Sequence, residues 1–146
     1  MHIPEPLRAF AAPTYIVATD NVQARVYRAD GREIEPVLHL STKTDDLPGE
    51  RSAVKLGGGQ MSSAEPEDDR QEWSRERLYD QLNHELLARL KNGEFQEVAF
   101  TVPQENVELF KESLHIDLLK RTVAFVPKNL VGEDLVDLAA HVQEER

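Results

Sequence analysis

Cysteine is missing altogether from this 146-residue chain, which excludes a disulfide framework, a thiolate metal site and a cysteine nucleophile. The absence agrees with a reducing compartment, and the cytoplasm is the expected location. Long apolar runs are missing too. None approaches the roughly 18 residues that a membrane helix needs, so no membrane association is expected. The first residues, Met1-His2-Ile3-Pro4-Glu5-Pro6, lack a basic stretch followed by an apolar one, and no secretion signal is read there. Positive charge is scarce: 17 Lys and Arg stand against 27 Asp and Glu, a formal net charge of −10 with a pI near 4.9. Such a balance repels nucleic-acid phosphates over most of the surface and argues against DNA as a partner.

Motifs for several chemistries are equally absent. His2, His39, His84, His115 and His141 are scattered, with no i,i+4 pair, so they read as surface or packing residues and no metal site is expected. No serine sits in a G-x-S-x-G elbow, and the glycine run at 57–59 lacks the Gly-Lys-Ser/Thr ending of a phosphate loop. No cofactor is expected. A metal-dependent nuclease would need converging carboxylates, and only Asp20 and Glu97 are placed on the strands that would carry them. Asp20 reads better as a turn former.

What is present describes one domain. An apolar share of 40% supports a core, and a mean hydropathy of −0.52 a soluble protein. Residues 1–13, with Pro4, Pro6 and Pro13, read as an irregular lead-in, and 14–146 as a single α/β domain. Tyr15-Ile16-Val17-Ala18 has the continuous apolar character of a buried strand. Ala24 and Val26 alternate with polar neighbours as in a half-buried strand, and Asp30-Gly31 marks a hairpin. A third strand runs from about Ile34 to Ser41, where Pro36 signals an edge position or a bulge. A long polar loop at 42–69 follows. Leu78, Leu82, Leu86 and Leu90 then recur every four residues as a helical stripe, ended by Asn92-Gly93. Phe95–Val102 is a strand, Val107, Phe110 and Leu114 a helix, Arg121–Val126 a strand, and Leu135, Leu138, Ala139 and Val142 a last helix. Crossover connections make strands one, four and five parallel. The expected fold is a five-stranded mixed sheet of order 3-2-1-4-5 with helices on both faces, of ribonuclease H-like type.

The loop at 42–69 is the place to look for function, because long loops in compact domains are uncommon and often functional. At its middle, Gly57-Gly58-Gly59 frees the backbone for close approach to a crowded site, and Gln60 supplies an amide. A flexible linker is the competing reading of the same glycines. Arg51 and Lys55 are the only charged residues between 51 and 63, so this stretch is mildly basic within an acidic chain. The acidic run 65–69 reads as a solvated lead into a helix N-terminus. Trp73, the lone tryptophan, reads as a core or cover residue.

Three segments, Tyr15-Ile16-Val17-Ala18-Thr19-Asp20 with Ala24-Arg25-Val26-Tyr27, Leu47-Pro48-Gly49-Glu50-Arg51, and Val126-Pro127-Lys128-Asn129-Leu130, resemble the bacterial host attachment protein family over about residues 14–142. That family is similar to the GGQ-bearing middle domain of archaeal and eukaryotic class I peptide release factors. The resemblance implies that Gly58, Gly59 and Gln60 are catalytic residues of a peptidyl-tRNA hydrolase reaction on the ribosome. Gly58 and Gly59 would permit close approach, and the Gln60 N–H would stabilise developing negative charge while its side chain positions water. Arg51 and Lys55 would be RNA-binding residues that steer the tip to phosphates. The alternative is a non-enzymatic interaction domain that binds a protein partner and affects attachment to host cells indirectly.

Overall fold

A computed structural model describes residues 1–42 and 67–146. Five strands, β1 (Phe10–Thr19), β2 (Gln23–Gly31), β3 (Glu33–Ser41), β4 (Glu97–Thr101) and β5 (Thr122–Val126), form one sheet of order β3-β2-β1-β4-β5. The first three make an antiparallel meander, whereas β4 runs parallel to β1 and β5 parallel to β4. The helices are α1 (Glu67–Lys91), α2 (Val107–Ser113), α3 (Ile116–Arg121) and α4 (Leu135–Glu145), with a 3₁₀ turn at Gln104–Asn106 before α2. This is the expected mixed sheet in the expected order. β1 begins at Phe10, inside the stretch read as lead-in, and α1 takes up the last residues of the 42–69 loop.

Side-chain alternation sorts the apolar residues to two faces. Tyr15, Val17, Val98 and Phe100 point one way and meet Leu78, Leu82 and Leu86 of α1, Phe110 of α2 and Leu118 of α3. Ile16, Ala18 and Ala99 point the other way and meet Leu138 and Val142 of α4, together with Ile3 and Phe10. A strand covered on both sides must be apolar at every position, which is why 15–18 carries no polar break. Nearly all the aromatic packing lies on the first face, where Tyr15 stacks on Phe95 at 4.2 Å and Phe110 meets Tyr79 and Phe100 edge-on at 5.0 and 4.9 Å.

Local chemistry sets the boundaries. Gly31, at φ +60°, opens a two-residue hairpin loop, the II′ arrangement with glycine at its first central position. Pro36 sits in edge strand β3 at a register shift, where Val26 faces Leu38 and Tyr27 faces Pro36. Both expectations for that proline therefore hold at once. Gly93, at φ +74°, closes α1 with Glu94 N–H on Arg89 O (3.1 Å) and Gly93 N–H on Leu90 O (3.0 Å), a Schellman motif. Trp73 is half-buried beneath the guanidinium of Arg77, 5.3 Å above its ring, as a cover residue would be. The short helix α3 carries no periodic stripe to announce it. Its one buried side chain is Leu118, and His115 caps it through Nδ1, which accepts from Asp117 N–H at 3.1 Å.

Candidate functional site

Gly58, Gly59 and Gln60, and with them Arg51 and Lys55, lie outside the described residues. The structure describes the ground on which that segment stands. Its first root is Thr42, buried at the end of β3, whose N–H donates to Val22 O (2.7 Å) and whose Oγ1 donates to Ser74 O (2.8 Å). Its second root is α1, which runs antiparallel to β1. Because Thr42 meets α1 at Ser74, the seven residues before Ser74 carry the helix about 10 Å past that point. Both roots therefore stand at the carboxyl end of the parallel strands, where ligands of open α/β sheets usually bind.

The loops that follow β1 and β4 meet at this same end. Asp20 closes the first one: its Oδ1 accepts from Val22 N–H and Gln23 N–H, both at 2.8 Å. Asn106, only 3% exposed, donates from Nδ2 to Asn21 Oδ1 at 2.7 Å and accepts from Arg75 Nη1 at 3.4 Å. The chain Arg75–Asn106–Asn21 thus ties α1 to both loops. Beside it, burial pushes the Tyr79 hydroxyl up to about 12, with Asp20 and Glu105 adding to the shift and Arg75 opposing it. Three buried oxygens toward this end have no hydrogen-bond partner among the described residues: Ser74 Oγ and Tyr79 OH on α1 and, on the opposite face of the sheet with Ala18 and Ala99, Thr101 Oγ1. Sequence patterns missed Asn106, Arg75, Tyr79 and Thr42, since each matters only through contacts across distant parts of the chain.

The opposite end is closed. Tyr15 OH donates to Glu94 Oε1 at 2.7 Å, Arg89 pairs with the same carboxylate at 3.4 Å, and Arg28 Nε donates to Glu94 O at 2.8 Å. The Tyr15 hydroxyl, chiefly, holds the Glu94 carboxyl below its usual range.

Register separates the two strand carboxylates. Glu97 pairs with Thr14 at the start of β1, so Asp20 lies six residues further along, roughly 20 Å away. Glu97 is engaged by Arg146 at 2.7 Å, and no group of three or more His, Asp or Glu among the described residues could hold a metal ion. Two carboxylates at opposite ends of a sheet cannot share one metal site.

A five-stranded mixed sheet of order β3-β2-β1-β4-β5 with helices on both faces defines an open α/β domain. The model of the bacterial archaeo-eukaryotic release factor family 12 matches residues 13–142, and the chain belongs to that family. No curated protein sequence matches it. Among solved structures, an archaeal protein superposes with a TM-score of 0.51 at 15% identity over 90% of this chain and 36% of its own. The archaeal translation termination factor aRF1 gives 0.49 at 16% identity, covering 90% of this chain and 37% of its own. Dom34 of S. cerevisiae, described as a translation termination-like factor interacting with Hbs1, gives 0.46 at 10%, covering 90% of this chain and 35% of its own. The chain thus spans about a third of the length of these structures, and the first of them shares its fold.

Proposed function

We propose that this release-factor-like domain acts on, or docks beside, peptidyl-tRNA on the ribosome through the segment between Thr42 and α1, with Gly58, Gly59 and Gln60 at its working tip. The observation that carries this reading is the combination of family membership over residues 13–142 with a Gly-Gly-Gln in the one long insertion. The position of both roots at the carboxyl end of β1 supports it, because ligands of open α/β sheets usually bind at that end. Chemically, the Gln60 N–H would meet the oxyanion that forms when water attacks the ester, and loss of one such donor typically lowers a rate by ~10²–10³. Arg51 and Lys55 would meet RNA phosphates, at cytoplasmic salt, with the acidic body held off. The test is single-turnover release of peptide from ribosome-bound peptidyl-tRNA by wild type and Gln60→Ala. Release that falls at least a hundredfold in the variant supports the proposal, and absence of release by wild type removes the hydrolase.

The net charge of −10 favours a second reading, a non-enzymatic domain with a protein partner, as the resemblance to the host attachment family implies. Under it, partner binding is retained in Gln60→Ala and neither protein releases peptide.

A further inference from the structure

A groove of about 270 Å³ runs between α1 and α2, and its charge is one-sided. Glu72, Glu76 and Asp80 recur every four residues on α1, so they form a single stripe along one wall, and Glu112 of α2 faces them from the other. All four are exposed, and no ion pair among the described residues engages any of them. Arg75 is the one cation in the lining, and its guanidinium is turned to Asn106 at the sheet's carboxyl end.

The groove is also partly apolar. Leu109, which lines it, is 45% exposed. Past its end at Ser113 the chain turns into α3, which leaves Ile116 and Leu119 55% and 39% exposed. These are three of the four large apolar side chains exposed among the described residues, and all fall within eleven positions of the chain. Tyr79 lines the groove as well, and its buried hydroxyl is without a partner among the described residues. Four carboxylates around an apolar anchor repel RNA and suit cations that arrive on an apolar scaffold.

We propose that this groove docks a basic amphipathic helix of a protein partner. Lys or Arg side chains one turn apart would meet the 72/76/80 stripe and Glu112, and an apolar side chain would cover Leu109. The docking requires neither Gln60 nor any hydrolytic activity. It places a protein contact on the side of the sheet that α1 and α2 cover.

The test is fluorescence anisotropy with a labelled helical peptide of Lys and Leu in which Leu recurs at i, i+3, i+4 and i+7. Binding should weaken at least about tenfold in Glu76→Lys/Glu112→Lys. It should stay near the wild-type value in Glu144→Lys/Glu145→Lys, which makes the same charge change on α4 across the sheet. Leu109→Asp separates the groove from diffuse attraction. Added negative charge would tighten a merely electrostatic contact, whereas docking in the groove loses affinity. All of these positions are exposed, and unchanged thermal midpoints will show that the variants fold. Equal weakening in both double variants, tighter binding to Leu109→Asp, or no binding to wild type would each overturn the proposal.

Discussion

Tyr15 lies toward the amino end of the parallel strands and Tyr79 toward the carboxyl end, and burial raises both hydroxyls to about 12. The two environments differ in what the hydroxyl can do. Tyr15 donates to Glu94, which Arg89 and Arg28 hold in turn, so the amino end is a closed joint. Among the described residues, Arg89 Nε is the one buried side-chain nitrogen or oxygen there without a partner. At the carboxyl end Tyr79, Ser74 and Thr101 each bury an oxygen unmatched among the described residues. A buried polar group without a partner costs free energy wherever it lies. The amino end is a hydrogen-bonded joint, and the carboxyl end carries three of the four buried side-chain atoms without a partner among the described residues.

The largest effect should come from breaking the closed joint. Tyr15→Ala removes a fully buried ring that stacks on Phe95, and aromatic truncations of this kind cost about 3–5 kcal/mol. Urea unfolding measures it directly. Tyr15→Phe keeps the ring and isolates the hydrogen bond, with an expected loss of about 1 kcal/mol. The pH dependence has a definite sign. The Glu94 carboxyl is lowered in the folded state, so its stabilisation is complete above the ordinary carboxylate value and disappears as pH falls through the lowered one. The gap between wild type and Tyr15→Phe should therefore close on acidification. A gap that stays constant to about pH 3 would show that Glu94 is not the partner that matters.

At the open end the corresponding break is Asn106→Leu. It strips a buried amide from between Arg75 and Asn21, leaving two polar groups to find water, at about 1–3 kcal/mol. Amide exchange should quicken in the loops after β1 and β4 and leave the Glu94 loop unaffected. If protection falls equally at both ends, the two are one cooperative unit and do not differ in how firmly they are held.

Sequence pattern carried the sheet because each strand declares its own burial. The unbroken 15–18 run reads as a buried strand, and the period of two through Ala24 and Val26 as a half-covered one. Pro36 and Gly31 announced their backbone geometry in advance. α3 was illegible because six residues with one buried leucine give no period to detect. The carboxyl-end cluster was illegible for a different reason. Asn106 and Asn21 are 85 positions apart, and two asparagines so distant carry no signal until the sheet order brings their loops together. The Gly-Gly-Gln was conspicuous in the sequence, and it lies outside the described residues.

Gly93→Ala is the next smaller step and sharpens the amino-end account. Nothing lies within 4 Å of a Cβ built there, so the penalty is the left-handed backbone alone, φ +74°. About 1 kcal/mol is expected, read as a lower thermal midpoint with the aromatic near-UV signal intact. A much larger loss would mean that the Schellman turn also places Glu94 for Tyr15, and would make the joint still more tightly coupled.

Tyr79→Phe should have the smallest effect and be the most telling. Removing a hydroxyl that has no partner among the described residues costs no hydrogen bond there and relieves a buried group of its desolvation penalty, so the variant should match wild type or gain up to about 1 kcal/mol. The raised value carries its own signature. Because the neutral phenol is favoured in the folded state, its stabilisation is present below the ordinary tyrosine value and is lost as pH rises through about 12. Tyr79→Phe should consequently be less sensitive to alkali than wild type, and should lack one late-titrating phenol in a spectrophotometric titration. Tyr15→Phe would also lack one, since its hydroxyl lies equally high, yet it would be destabilised at neutral pH. If the two variants instead destabilise alike, Tyr79 must have a partner that it holds as firmly as Tyr15 holds Glu94. The carboxyl end would then be as closed as the amino end.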